Sequence, residues 1–365
     1  MMGRELRGLR VAIAHEWIAA RAGSEKAFEE MGRAFPTADL FALTQTPGVA
    51  IDTAGRPIQY TFLNQSHIFR DRRAVTLPLM PLAWRLIGRG SAYDVVITSS
   101  HACVKGFWPG RSARHFCYVH APMRYVWTPE IDNRAQLRLL RPMREILRNW
   151  DRNSTRWVDS FAANSTAVAA RILHFYGRAA RVIHPPVDVK FFNGARRCER
   201  SSLISVGRLI PYKGHDISIG VAAVLGLPLT VVGSGPEEQR LRELAHSSRV
   251  MVSFRTNASD VELREAMARS RLLLYPAIED FGIVAAEALA AGLPVVGPRA
   301  GGLLDIVDDG KTGVLARSVS VDDMADAAAR ALEMGNKDEE CRIWAQRFSA
   351  ERFRDEIKDW VVGAL

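Results

Sequence analysis

Only four cysteines occur in the 365 residues, Cys103, Cys117, Cys198 and Cys341. Their spacing matches no metal-ligand pattern and they are too few for a disulfide framework, so a reducing compartment fits. No clean run of about 18 apolar residues is present. The nearest, residues 217–233, is broken by Gly226 and Pro228 and reads as helix, turn and strand. The apolar run at 11–14, behind Arg4, Arg7 and Arg10, is too short for the core of a secretory signal. The expectation is a cytoplasmic protein, peripheral on the inner face of the cell membrane where it meets one. No acidic triplet suggests a bound metal ion, and no aromatic ladder accompanies the arginines, which argues against nucleic acid.

What is present is ordinary in bulk and uneven in charge. Hydrophobic residues make up 48% and charged residues 24%, as in soluble globular proteins, and the length predicts two domains. We place them at 1–180 and 181–345, with a helix at 346–365 returning to the first. The net charge of +9 lies wholly in the first half, where 25 Lys+Arg face 14 Asp+Glu over residues 1–180. Any acidic surface the protein meets is met by that half.

In the first half, short apolar runs at 9–14, 39–43, 94–98, 115–119 and 158–163 alternate with helical stretches, the pattern of an open α/β sheet. The first strand delivers a loop containing Gly23 into a helix reaching about Ala34, a device that brings backbone near a ligand in doubly wound sheets. His120 directly follows the strand at 115–119, where a side chain points into the ligand crevice of such folds. The stretch L-P-L-M-P-L-A-W-R-L-I, beginning at Leu77 and ending at Ile87, is either core or an exposed apolar edge that contacts lipid. Arg134, Arg138, Arg141, Arg148, Arg152 and Arg156 recur at helical spacing, with apolar residues between them. Such a helix is either a solvated charged face or a surface that lies on anionic headgroups.

The second half restarts at Pro185-Pro186, with strands predicted at 203–206, 229–232, 250–254, 272–275 and 294–297. The fold class is therefore α/β, two doubly wound Rossmann-like domains facing each other across a cleft. Gly207 lets the chain turn after the first of these strands, and Arg208 and Lys213 then share one strand-end loop. They are either an ordinary surface pair or two cations converging on a diphosphate. Gly233-Ser234-Gly235 is a second Gly-containing strand end, too short for a dinucleotide fingerprint. The segment E-D-F-G-I-V-A-A-E from Glu279 to Glu287 turns from strand into helix. Glu279 either serves the helix dipole or holds ligand hydroxyls. Glu287, set among alanines, needs a hydrogen-bonding partner, and the hydroxyls of a neutral ligand would serve. Backbone N–H groups around Gly282, Ile283 and Val284 favour a phosphate at the helix start.

These elements in order, with Gly301-Gly302 and Asp309-Gly310-Lys311-Thr312-Gly313 following, resemble the retaining glycosyltransferases of family 4. His15-Glu16-Trp17, Phe35-Pro36, Ser99-Ser100-His101 and His120-Ala121-Pro122-Met123-Arg124-Tyr125 resemble a mannosyltransferase branch of it. The resemblance implies the B-type two-domain glycosyltransferase fold. It also implies that Arg208 and Lys213 grip the donor diphosphate, Glu279 the sugar hydroxyls and Glu287 the ribose, while Gly23 lets its loop approach the phosphates and His120 lies against the reacting sugar. The implied donor site comprises Gly23, Gly207, Arg208, Lys213, Gly233, Gly235, Glu279, Phe281, Gly282, Ile283, Val284 and Glu287. The implied catalytic groups are His120, Arg208, Lys213 and Glu279, with no metal and no cofactor beyond the nucleotide-sugar co-substrate. Two positions depart from the family, Ala22 where a second glycine is common and Asp305 where a Glu is usual.

The reaction expected is transfer of a hexose, first choice mannose from GDP-mannose, to a hydroxyl of a lipid-linked or saccharide acceptor, in bacterial polysaccharide or glycolipid assembly. The anionic membrane partner would be met through the basic stretch from Arg134 to Arg156 and through Leu77 to Ile87. A nucleotide-sugar epimerase on the same fold is the nearest rival. A nicotinamide-dependent oxidoreductase lacks its full glycine fingerprint here, and a pure binding module would leave a complete donor site unused.

Overall fold

Parallel strands need long crossovers, and the alternation of short apolar runs with helical stretches supplies them. The computed structural model describes residues 8–71, 76–87, 92–108, 110, 112–128, 141–194 and 199–365. The chain divides into two units, Met1–Pro186 with Glu351–Leu365, and Val187–Ala350.

The first unit holds β1 (Val11–Ile18), β2 (Asp39–Gln45), β3 (Ile58–Tyr60), β4 (Val95–Ser100), β5 (Arg114–Val119), β6 (Ser160–Ala163) and β7 (Ala180–Val182). They form one sheet in the order β3-β2-β1-β4-β5-β6-β7, parallel at every pairing. The second unit holds β8 (Ser202–Val206), β9 (Leu229–Val232), β10 (Val252–Arg255), β11 (Ser270–Leu274), β12 (Val295–Pro298) and β13 (Gly313–Ala316). Their order is β10-β9-β8-β11-β12-β13, again all parallel. In each sheet the first strand in sequence has its successor on one side and a later strand on the other. That reversal of winding opens a crevice at the carboxyl ends of β1 and β4, and of β8 and β11.

Both sheets are covered on both faces, which is why their strands read as nearly continuous apolar runs. One face of the first sheet packs Val11, Ile13, Phe28, Met31 and Ile97 with Phe353, Ile357 and Trp360 of the last helix, Ala350–Val362. Trp360 meets Phe116 edge to face with ring centroids 5.3 Å apart and donates its indole N–H to Ser160 Oγ at 2.8 Å. Each such side chain is worth about 1.5–3 kcal/mol when buried, and Arg354 adds an ion pair to Glu30. Those terms hold the last helix to the first sheet.

Some elements differ from the sequence expectation for identifiable reasons. The first strand continues past Ala14 to Ile18, because His15 and Glu16 find polar partners inside and do not end it. β3 and β7 are three-residue edges, half exposed, too short to show a period. β13 follows the turn D-G-K-T-G at once and has four residues. The basic helix spans Arg141–Ser154 and gives way to a tight turn at Thr155–Trp157, so Arg156 lies beyond it; Arg134 and Arg138 fall outside the described residues. The stretch 77–87 divides by face in the helix Met80–Ile87, with Met80, Ala83 and Trp84 in the core and Leu82 and Leu86 half exposed.

Candidate active site

The loops after β8 and β11 bring the predicted charges of the second unit together. Gly207 follows β8 with φ +152°, and the stem of Lys213 lies against it, so a Cβ there would sit 3.4 Å from Lys213 Cδ. The Lys213 ammonium pairs with Glu279 Oε1, and the Tyr275 hydroxyl donates to Glu279 Oε2. Glu279 thus has one cationic and one neutral donor. Burial, then the neighbouring Glu279 carboxylate, push the Tyr275 hydroxyl well above its usual range, so it stays protonated and able to donate. The Lys213 nitrogen also stands 5.7 Å from the Tyr212 ring centre and 5.8 Å from that of Tyr275. Arg208 is exposed, with Nη2 3.4 Å from the Tyr212 hydroxyl. Both cations therefore flank one aromatic side chain.

The glycines of this region serve close backbone packing. A Cβ on Gly233 would meet the Gly207 carbonyl oxygen at 1.8 Å, and one on Gly235 the Leu209 oxygen at 2.3 Å. Leu209 N–H donates to Ser234 O at 2.9 Å and Glu237 N–H to Leu209 O at 3.0 Å. The Gly233-Ser234-Gly235 loop thus braces the Arg208 loop. Gly282, φ +98°, starts the helix Ile283–Ala290, whose first N–H groups have no intrahelical acceptor. Phe281 buries its ring edge to face with Phe348, centroids 5.6 Å apart, so it offers the site backbone only. Glu287 is buried among alanines of that helix, close enough to Tyr275 to act on its hydroxyl.

In the first unit, Gly23 begins the helix Gly23–Ala34 just after β1, and the Glu25 carboxylate accepts the N–H of Ala22 at 3.3 Å. At the carboxyl ends of β1, β4 and β5, His15 Nδ1 lies 2.9 Å from Ser99 Oγ, which lies 2.8 Å from His120 Nε2. His101 stacks edge to face on Trp17 at 4.6 Å. Glu16 Oε1 accepts the N–H groups of Ala102 and Val104, each at 2.8 Å, and so pins the loop that leaves β4.

Two family models match the chain, "Glycosyltransferase Family 4" over residues 22–191 and "Glycosyl transferases group 1" over residues 188–348. The chain belongs to the family 4-like glycosyltransferases. Among its relatives is the GDP-mannose-dependent alpha-(1-6)-phosphatidylinositol monomannoside mannosyltransferase of Mycobacterium tuberculosis, 34% identical over 149 residues, which are 37% of this chain and 39% of the relative. Another is the D-inositol 3-phosphate glycosyltransferase of Mycobacterium bovis, 34% identical over 200 residues, 48% of this chain and 41% of the relative. The chain thus spans about two fifths of the length of these curated relatives. Two solved structures share the fold: sucrose-phosphate synthase from Thermosynechococcus elongatus, TM-score 0.77 at 18% identity, and HepE of Anabaena in complex with UDP, TM-score 0.73 at 17%. The matches cover 97% of this chain and 99% and 100% of those two.

In this glycosyltransferase three residues touch the candidate residues of their own unit without having been singled out by sequence. Tyr275 reads as the last residue of a strand. His215 bridges Ser205 Oγ at 2.9 Å and the Arg208 carbonyl at 3.2 Å; burial lowers its basicity, and a neutral ring that donates from Nε2 fits both partners. Ser99 stands in the Ser99-Ser100-His101 motif, whose spacing gives no hint of the histidines on either side. Sheet order brings Ser99 to its two histidines, whereas the contacts of Tyr275 with Glu279 and of His215 with Arg208 are local.

Burial pushes the Glu16 carboxyl from about 4.5 up to about 7, with the loop N–H groups and Lys105 opposing. An acid held above its unfolded value binds its proton more tightly when folded, so its contribution to stability falls as pH rises from about 4.5 to about 7. His15, lowered by burial to about 3, and His115, lowered to about 4, act in the opposite sense, adding stability as pH rises toward 6.5. Glu16→Gln keeps the acceptor oxygen and removes the charge. The unfolding free energy of the wild type relative to this variant should fall with pH across that window, by up to about 1.4 kcal/mol per pH unit. Denaturant unfolding at several pH values measures it, and a constant difference rejects a raised carboxyl.

Proposed function

We propose that the protein is a retaining hexosyltransferase that moves mannose from GDP-mannose to a hydroxyl of a lipid-linked saccharide. The pairing of Lys213 with Glu279 carries the reading. It sets an ammonium suited to a departing diphosphate beside a carboxylate suited to sugar hydroxyls, at the reversal of the second sheet. Arg208 adds charge to the diphosphate, the first N–H groups of the helix Ile283–Ala290 add donors to it, and Glu287 takes the ribose. His120 is the contribution of the first unit to the transferred sugar. Retention is what the family resemblance implies, and with no carboxylate assigned as nucleophile it requires attack from the face the diphosphate leaves. The choice of mannose and of GDP is supported by the name of the mycobacterial mannosyltransferase and by the branch motifs.

A thermal-shift screen of nucleoside diphosphates and their sugars tests the donor. GDP and GDP-mannose at a hundred times their dissociation constants should stabilise by about 2.7 kcal/mol. Stabilisation by uridine nucleotides alone would reassign the base, and an epimerised nucleotide sugar as product would replace transfer with epimerisation.

The acceptor reading places the helix Arg141–Ser154 on anionic headgroups. Among the described residues no helix is long and apolar enough to cross a membrane. Ile146 is 68% exposed beside the basic residues, while Arg148 and Arg152 each stand 5.4 Å from the Trp127 ring centre. Arg148 pairs with Glu145, so replacing Arg141, Arg148 and Arg152 by glutamine removes about two effective charges. At about 1 kcal/mol each, binding to phosphatidylserine vesicles should weaken roughly thirtyfold, and salt should weaken the wild type. Sedimentation indifferent to both would end the membrane assignment.

A further inference from the structure

The Ser99 hydroxyl has one proton and two imidazole neighbours, His15 Nδ1 at 2.9 Å and His120 Nε2 at 2.8 Å. A hydroxyl oxygen can accept two bonds, but if both rings donated, the Ser99 proton would be buried with no acceptor among the described residues, so one ring donates to Oγ and the other accepts from it. The surroundings of His15 decide which. His15 is fully buried, stacked on Phe28 with ring centroids 5.1 Å apart and planes 19° apart. Burial, with His120 nearby, holds its basicity down to about 3, so the ring is neutral and carries one proton. Its Nε2 is sealed from solvent and has no hydrogen-bond partner among the described residues. A proton on Nε2 would be a buried N–H with no acceptor, which native structures rarely tolerate, whereas a bare lone pair there is the lesser cost. The proton therefore sits on Nδ1 and is donated to Ser99. The Ser99 hydroxyl then points its own proton at His120 Nε2.

We propose that His15 and Ser99 are positioning residues that hold His120 as the neutral tautomer protonated on Nδ1, with its Nε2 accepting from Ser99, so that Nε2 does not serve as a base toward the transferred sugar. The β-sheet register supports the arrangement, since His15 and Ser99 are directly opposite on β1 and β4, and His120 N–H is tied to Ser100 O at 2.8 Å just past β5. All three groups are thus fixed by strands. The functional half of the proposal rests on the reading of His120 as a sugar contact; the tautomer half does not.

The test is imidazole nitrogen NMR on the full chain with labelled histidine, near neutral pH, together with kinetics. The wild type should show His15 and His120 both protonated on Nδ1. Ser99→Ala should abolish the single Nδ1–H pattern of His120 and lower kcat about tenfold with a smaller change in donor KM, while Ser99→Thr, which restores a hydroxyl, recovers both. In a His120→Ala background the Ser99→Ala change should cost nothing further. A wild-type His120 protonated on Nε2 overturns the proposal, and so does a Ser99→Ala cost that persists without His120. If His120→Ala itself turns over normally, the sugar contact fails, while the nitrogen pattern still decides the tautomer.

Discussion

Replacing Lys213 with alanine is expected to lower kcat by about 100- to 1000-fold, the cost of losing one preorganised donor to a developing negative charge. The ammonium is half-buried against Gly207 and held by Glu279, with Tyr275 and Tyr212 beside it. A cation fixed in this way needs little reorganisation when the sugar–phosphate bond breaks, and the aromatic surroundings keep its field strong. If the role is stabilisation of the leaving diphosphate, the loss falls on kcat and kcat/KM alike. If the lysine only binds the ground state, KM rises and kcat stays. Lys213→Ala leaves Glu279 with the neutral Tyr275 hydroxyl as a partner, so the fold should tolerate it, and a circular dichroism melt checks that. Turnover within a few-fold of the wild type would remove Lys213 from the leaving-group role and with it the core of the proposed mechanism.

Much of this was legible in the sequence, and the residues show where legibility stopped. Apolar runs of four to six residues separated by helical stretches define the two parallel sheets, because strands buried on both faces leave that mark. Arg208, Lys213 and Glu279 could be placed on strand-end loops from glycine and proline punctuation alone. The contact between Lys213 and Glu279 could not be read from that punctuation, since the two lie 66 positions apart and β8 and β11 become neighbours only through the reversal of strand order. Polarity misled at β1, where His15 and Glu16 read as the end of a strand because their partners, Ser99 and the N–H groups of Ala102 and Val104, are over 80 residues away. The G-x-G at Gly233 resembles part of a phosphate-binding fingerprint locally, and the structure adds a packing reason for its first glycine, which lies against the Gly207 carbonyl. A local pattern reports backbone freedom, and the tertiary neighbour decides its use.

Lys105→Ala is expected to cost the first unit about 3–5 kcal/mol, because it strands a buried charge. Lys105 and Asp151 have side chains 1% and 0% exposed and approach to 2.7 Å. Burial alone would lower the Lys105 basicity, but the Asp151 carboxylate together with Cys117 and Glu16 outweighs it and the ammonium is held above its usual value. The pair is well provided with partners: Lys105 donates to Ala102 O at 3.2 Å, and Asp151 Oδ2 accepts from the Trp127 indole and the Tyr176 hydroxyl, both at 2.7 Å. Asp151 belongs to the basic helix Arg141–Ser154, and Lys105 to the loop that leaves β4 and is pinned by Glu16. The ion pair therefore clamps the helix proposed to meet lipid onto the end of the sheet that carries Ser99 and His120. A lone alanine leaves the carboxylate uncompensated, whereas Lys105→Met combined with Asp151→Asn removes both charges and keeps an acceptor for Trp127 and Tyr176. The double variant should then be more stable than Lys105→Ala, with a coupling of about 2 kcal/mol or more in a mutant cycle. Urea unfolding followed by tryptophan fluorescence reads both; additive costs would mean that the two charges do not depend on each other and that the helix is held by its apolar face alone.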